Sequence, residues 1–212
     1  MSAERQLHAG DPTPMINDPS ETDVPWRLPS HRKVGMVSLI LTESALFTIF
    51  VVAYVFYIGK SLNPPYPADV LEFPLFGTIA LLSSSFTILA AELMLKKMNR
   101  FGFLLWWGIT ILLGAYFVYF TGAEWWHLIY EKNLTISTNV FGSTFYSLVG
   151  LHLSHVLIGL LLLSTVWILT LLGKIPRDHT EHVEMISWYW HFVDVIWIVV
   201  LTVVYIISVR AT

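Results

Sequence analysis

The chain has 212 residues, 55% of them hydrophobic and only 13% charged, with a formal net charge of −3. Its mean hydropathy is +0.64, which is too apolar for an ordinary soluble domain and points to an integral membrane protein. With no cysteine, disulfides, thiolate metal sites, CxxC redox chemistry and thiol catalysis are excluded, and with no long basic run nothing supports nucleic-acid binding.

Residues 1–33 come first and are polar, with Pro12, Pro14, Pro19, Pro25 and Pro29 among acidic and small residues. They read as a flexible cytoplasmic arm, not a folded domain. The first apolar run is too long and too late for a cleaved signal. Residues 34–212 are expected to form an all-α, polytopic membrane domain, a bundle of five transmembrane helices. The predicted spans are Val34–Ile58, Phe73–Leu95, Phe101–Thr121, Phe141–Leu172 and Met185–Val209. Each reaches the ~20 residues that a spanning helix needs. The fourth, at about 32 residues, would extend about 48 Å and must tilt or protrude. Between the first two spans, Asn63-Pro64-Pro65-Tyr66-Pro67 cannot be regular helix and predicts a turn. Trp106, Trp107, Trp125 and Trp126 crowd span ends and suit interfacial anchoring.

All 12 basic residues fall outside these spans. Nine lie on the side of the N-terminus: Arg5, Arg27, Arg32, Lys33, Lys96, Lys97, Arg100, Lys174 and Arg177. Only Lys60, Lys132 and Arg210 lie on the other. The positive-inside rule places the N-terminus in the cytoplasm and the C-terminus outside.

Ionisable residues within spans are costly to bury and so mark where helices pack or function sits. Glu92 is one turn from Lys96, an i,i+4 pair that predicts solvation at a helix end. Glu43 lies about nine residues into its predicted span, about 13 Å deep, with no basic residue beside it. It must accept hydrogen bonds, take up a proton or meet water, and either a proton-linked or a structural role answers that need. His152 and His155 share a face of the fourth span, as do His191 and Asp194 of the fifth. A polar cluster joining these helices is geometrically possible. Only three histidines lie within spans, and Glu124-Trp125-Trp126-His127 is a lone Glu-x-x-His at a span end. The counts favour interhelical hydrogen bonding over a haem or di-iron site. His127 reads as an interfacial anchor beside its tryptophans. Ser83-Ser84-Ser85 and Thr87 read as a small-residue face for close helix packing.

Several of these strings occur in a fixed order: Thr42-Glu43-Ser44, then Leu82 to Thr87, Phe141-Gly142-Ser143-Thr144-Phe145, and Gly150-Leu151-His152-Leu153-Ser154-His155-Val156 with Gly159. His182-Val183-Glu184 and Trp188-Tyr189-Trp190-His191-Phe192-Val193-Asp194 close the series. In these the chain resembles subunit III of haem–copper terminal oxidases (cytochrome c and quinol oxidases), in its short five-helix bacterial form. The match covers about Met36 to Ser208, and its closing motif is the most specific part. The resemblance implies a non-catalytic accessory subunit of a proton-pumping respiratory oxidase, with no redox centre of its own. It implies packing on subunit I, which holds the haems and copper, and association with subunit II and a wider respiratory supercomplex. Bound phospholipid, support of proton uptake, turnover stability and a multi-pass place in the bacterial inner membrane are implied likewise. It also implies that Glu43, His152, His155, Glu184, His191 and Asp194 are the intramembrane polar set, proton-linked or structural. Two departures stand out: the two extra N-terminal helices of the long form are missing, and Leu153 replaces the glycine usual after the first paired histidine. The alternatives are a subunit III-like partner of a nitric oxide reductase, or an independent membrane enzyme or carrier using the same histidines and acids.

Overall fold

The computed structural model describes residues 31–174 and 180–211, apart from the side chains of residues 180 and 211. Most of the arm expected over 1–33 therefore lies outside the described residues, as do Arg5, Arg27 and Arg177. The helices are α1 (His31–Tyr57), α2 (Pro67–Val70), α3 (Leu75–Lys96), α4 (Arg100–Tyr130), α5 (Val140–Leu171) and α6 (Thr180–Leu201). A π-helical segment, Thr202–Ile207, continues α6 and leads into α7 (Ser208–Ala211). Among the described residues there is no strand. Five of these helices are long and apolar enough to cross a membrane. In hydrocarbon every backbone N–H and C=O must be satisfied within the segment, and an unbroken helix does this.

The helix bounds depart most from the sequence expectation at α4, and α6 starts five residues before the expected Met185, at Thr180. α4 runs on to Tyr130, nine residues past the expected end at Thr121, because Glu124 and His127 find partners without leaving the helix. The end of a hydrophobic span is therefore not the end of the helix. The proline-rich turn also holds the short helix α2, which opens with Pro67 at its first position, where no N–H is needed.

Caps fix the long helices. Asn99 and Asn139 stand before α4 and α5, and their side chains accept from the amides of Gly102 and Gly142 at 2.9 and 2.8 Å. A Cβ on Gly142 would meet the Thr135 carbonyl, so glycine is required there. At the far end of α5, Arg100 donates to the carbonyls of Thr170 and Leu171, and Gly173 takes the left-handed turn at φ +69°.

α6 packs against α1, α3 and α5, and α4 packs against α3 and α5. Trp107 of α4 donates to the Leu163 carbonyl of α5 (2.9 Å), and Trp167 of α5 donates to the Leu104 carbonyl of α4 (3.0 Å). These reciprocal bonds fix the register of that pair. α1 is the outlying helix; its buried residues are Phe47 and Tyr54.

Candidate functional site: a polar layer within the bundle

α3 and α6 run antiparallel with matched polar positions. Trp197 donates through Nε1 to Thr78 Oγ1 (3.2 Å), and Trp190 donates to Ser84 Oγ (2.8 Å). One residue on, Ser85 Oγ donates to Asp194 Oδ2 and lies 3.1 Å from His191 Nδ1. A serine hydroxyl has one proton and can also accept. With its proton given to Asp194, Ser85 accepts from His191 Nδ1–H. A single hydroxyl thus joins the two members of the closing motif, and both belong to α6 while the bridge belongs to α3.

The serine run therefore does more than the close packing expected of it. The small side chains let the helices approach, and Ser84 and Ser85 then serve as hydrogen-bond partners. Thr87 extends the link to α4 through Thr110 Oγ1 at 2.7 Å. The pattern is present in the sequence as two spaced pairs, Thr78 and Ser84 six apart on α3 and Trp190 and Trp197 seven apart on α6. Their antiparallel pairing belongs to the tertiary structure.

Glu43 finds its partner on another helix. Its Oε2 lies 3.0 Å from His155 Nε2, and His155 Nδ1 lies 2.8 Å from the Leu151 carbonyl of its own α5. With Nδ1 donating to that carbonyl, Nε2 of the neutral ring is an acceptor. It then donates to Glu43 only when the ring is doubly protonated, or it accepts from a protonated Glu43. The two groups therefore share one proton. Tyr189 of α6 donates to the His155 carbonyl at 3.3 Å, so α1, α5 and α6 meet here.

His152 departs from the interhelical hydrogen bonding expected of it. It is fully buried, and among the described residues neither ring nitrogen has a hydrogen-bond partner. The ring stacks on Trp197 at 5.0 Å and 28°, with Phe117 and Phe47 edge-on at 5.9 and 6.4 Å. The paired histidines thus diverge, His155 toward Glu43 and His152 into an aromatic box.

Glu184 also separates from the intramembrane set. Its carboxylate pairs with Lys33 Nζ at 3.1 Å, and both side chains are a third or more exposed. It ties the start of α6 to the start of α1, beside the longer Arg32–Glu181 contact of 3.8 Å. The expected Glu92–Lys96 ion pair is not formed among the described residues, and Glu92 is half-buried on α3. The lone Glu-x-x-His divides in the same way: Glu124 accepts from Tyr205 Oη at 2.9 Å, while His127 Nδ1 lies 2.9 Å from Glu131. Sequence reasoning missed the Tyr205 contact because the π-helical segment sets its direction. One extra residue per turn rotates Tyr205 onto Glu124 and Ser208 onto Tyr54 Oη, 3.1 Å away.

Among the described residues, no three His, Cys, Asp or Glu side chains converge where they could hold a metal ion. What the layer can do is donate, accept and retain protons. The glycine usual after the first paired histidine is not needed for close approach here: Leu153 is half-buried, and tight helix contact is made instead where Trp190 lies on Gly114 and Gly159.

Comparison with known proteins gives a consistent result. The family model described as cytochrome c oxidase subunit III matches residues 29–209. A cytochrome c oxidase subunit 3 from Synechocystis sp. is 37% identical over 185 residues, covering 84% of this chain and 77% of the relative. One from Loxodonta africana is 38% identical, covering 78% and 66% respectively, and one from Alkalihalophilus pseudofirmus is 35% identical, covering 79% and 82%.

Proposed function

The chain belongs to the cytochrome c oxidase subunit III family, and from that premise we propose that it is the accessory, non-catalytic subunit of a proton-pumping haem–copper respiratory oxidase. In this reading it packs on the subunit that carries the haems and copper, binds lipid, and keeps proton supply and turnover stable. The observation that carries the reading is the family match over residues 29–209, which takes in the ordered motifs from Glu43 to Asp194. A lipid-facing role draws support from the outer face of α1, where Thr48, Ile49, Val52, Ala53, Phe56 and Tyr57 form an exposed, mostly apolar surface. A proton-linked role draws support from Glu43 and His155, which share a proton at a partly exposed position. The excess of basic residues at the end that holds Lys33, Lys96, Lys97, Arg100 and Lys174 supports a cytoplasmic N-terminus in a bacterial inner membrane.

Mild-detergent purification tests the reading. The tagged chain is expected to bring down a haem-bearing complex, and the subunit separated from that complex to be colourless. A Soret band at stoichiometric haem content in the separated subunit would overturn it, and oxidase or carrier activity there would favour an independent membrane enzyme. Co-purification with a nitric oxide reductase instead of an oxidase would assign the alternative partner.

The proton-linked part has its own test. Glu43→Gln keeps size and hydrogen bonding but removes titration. The complex is expected to assemble and reduce oxygen, with lower turnover at alkaline pH or a shorter lifetime during sustained turnover, compared at equal haem content. Identical rates and identical inactivation would leave Glu43 a packing residue.

A further inference from the structure

One face of α6 carries Ser187, His191 and Asp194 at i, i+4 and i+7. Ser187 and Asp194 are buried, and His191 is half-buried. Each still has a buried atom without a partner among the described residues: Ser187 Oγ, His191 Nε2 and Asp194 Oδ1. Buried polar atoms are seldom left without partners, so three on one face mark unused hydrogen-bonding capacity along a line. The antiparallel α3 supplies Ser85, which bridges His191 and Asp194. It also supplies Glu92 seven residues further on, on the same face of α3 and half-buried. Beyond Asp194 the line closes. The next residue on that face is Trp197, whose indole N–H is a donor only and is already given to Thr78. The file is therefore open toward Glu92 and the start of α6, and shut toward the π-helical end.

We propose that His191, Ser85 and Asp194 form a proton-storing site, loaded from the Glu92 end. The transfer balances atom by atom. A proton from water arrives at His191 Nε2, which is a lone pair while Nδ1–H donates to Ser85. The Nδ1 proton passes to Ser85 Oγ, and the Ser85 hydroxyl proton passes to Asp194 Oδ2. The product is a neutral Asp194 that donates to Ser85, which now donates to His191 Nδ1, with the imidazole carrying its proton on Nε2. One proton is taken up, no bond between heavy atoms changes, and every hydrogen bond survives with its direction reversed. Other titratable groups on the helices packed around the file are His31, Arg32, Lys33, Glu43, Tyr54 and Tyr57 of α1, Tyr146, His152 and His155 of α5, and Glu181, His182, Glu184 and Tyr189 of α6 itself. Lys96 and Lys97 close α3. Between Arg100 and Glu124, α4 carries only Tyr116 and Tyr119.

The test is an acid-minus-alkaline infrared difference spectrum of the intact purified complex in a bilayer, with aspartate carboxyls labelled with carbon-13. On acidification, one isotope-shifted carboxylic C=O band should appear together with a histidine signal changing from the Nδ1–H to the Nε2–H tautomer. Asp194→Asn should lose both. Ser85→Ala should separate them, so that the histidine signal no longer follows the carboxyl band, and Ser85→Thr, which keeps the hydroxyl, should restore the coupling. If Asp194→Asn does not assemble, the pair of Ser85 variants decides. An unchanged, still coupled spectrum in Ser85→Ala would overturn the relay. An aspartate signal that does not change with pH in the wild type would overturn proton storage altogether.

Discussion

Replacing Trp190 with alanine will cause the largest loss of stability of any single truncation in the bundle, about 3–5 kcal/mol on the scale of buried aromatic deletions. The indole is fully buried and touches three helices besides its own. A Cβ on Gly114 of α4 would lie 2.8 Å from Trp190 Cη2, and one on Gly159 of α5 would lie 2.8 Å from Cε3 and Cζ3. The ring is held between two glycines while its N–H is given to Ser84 of α3. In a membrane, helices associate through close packing and interhelical hydrogen bonds, and this residue supplies both. Trp190→Phe should cost much less than alanine, because most of the packing survives and one hydrogen bond is lost, about 1 kcal/mol. Gly159→Val should approach the alanine loss from the opposite direction, by overfilling, at about 1–3 kcal/mol. Thermal unfolding of the complex in detergent, followed by loss of this subunit, would show the order. A Trp190→Ala complex as stable as Trp190→Phe would refute the account.

His155→Ala is expected to destabilise the complex more than the double replacement His155→Ala with Glu43→Ala. The single change strands a carboxyl group inside the first span, where leaving a polar group unsatisfied costs about 1–3 kcal/mol. The double change removes both partners, and a region of this kind tolerates an apolar pair better than half of a polar one. Phe47, whose ring centroid is 4.9 Å from that of His155, can fill part of the space. Subunit retention after detergent washing, measured for wild type, both single variants and the double, gives the coupling between the residues. Equal losses in His155→Ala and the double variant would mean that Glu43 depends on groups other than His155.

Much of this protein is legible in its amino-acid sequence. Five spans follow from the length and apolarity of the runs, because a helix is the only open segment that satisfies its own backbone in hydrocarbon. Intramembrane acids and histidines declare themselves by cost alone, and the ordered motifs from Glu43 to Asp194 point to the family. Partnership is a different matter. Glu43 and His155 are 112 residues apart, and Ser85 and Asp194 are 109 apart. A local pattern can place each on a helix face but cannot set the rotation of one helix against another. That rotation comes from packing: from Trp190 seated on two glycines, from the crossed Trp107 and Trp167 bonds, and from a π-helical turn that redirects Tyr205. The same packing splits the histidine pair, sending His152 onto Trp197 and His155 to Glu43, though spacing alone gives both one face. Which residues must be dealt with inside the membrane follows from the chain alone. Which of them deal with one another is set by the tertiary fold, because hydrogen bonds require approach within about 3 Å and helix packing alone brings distant segments that close.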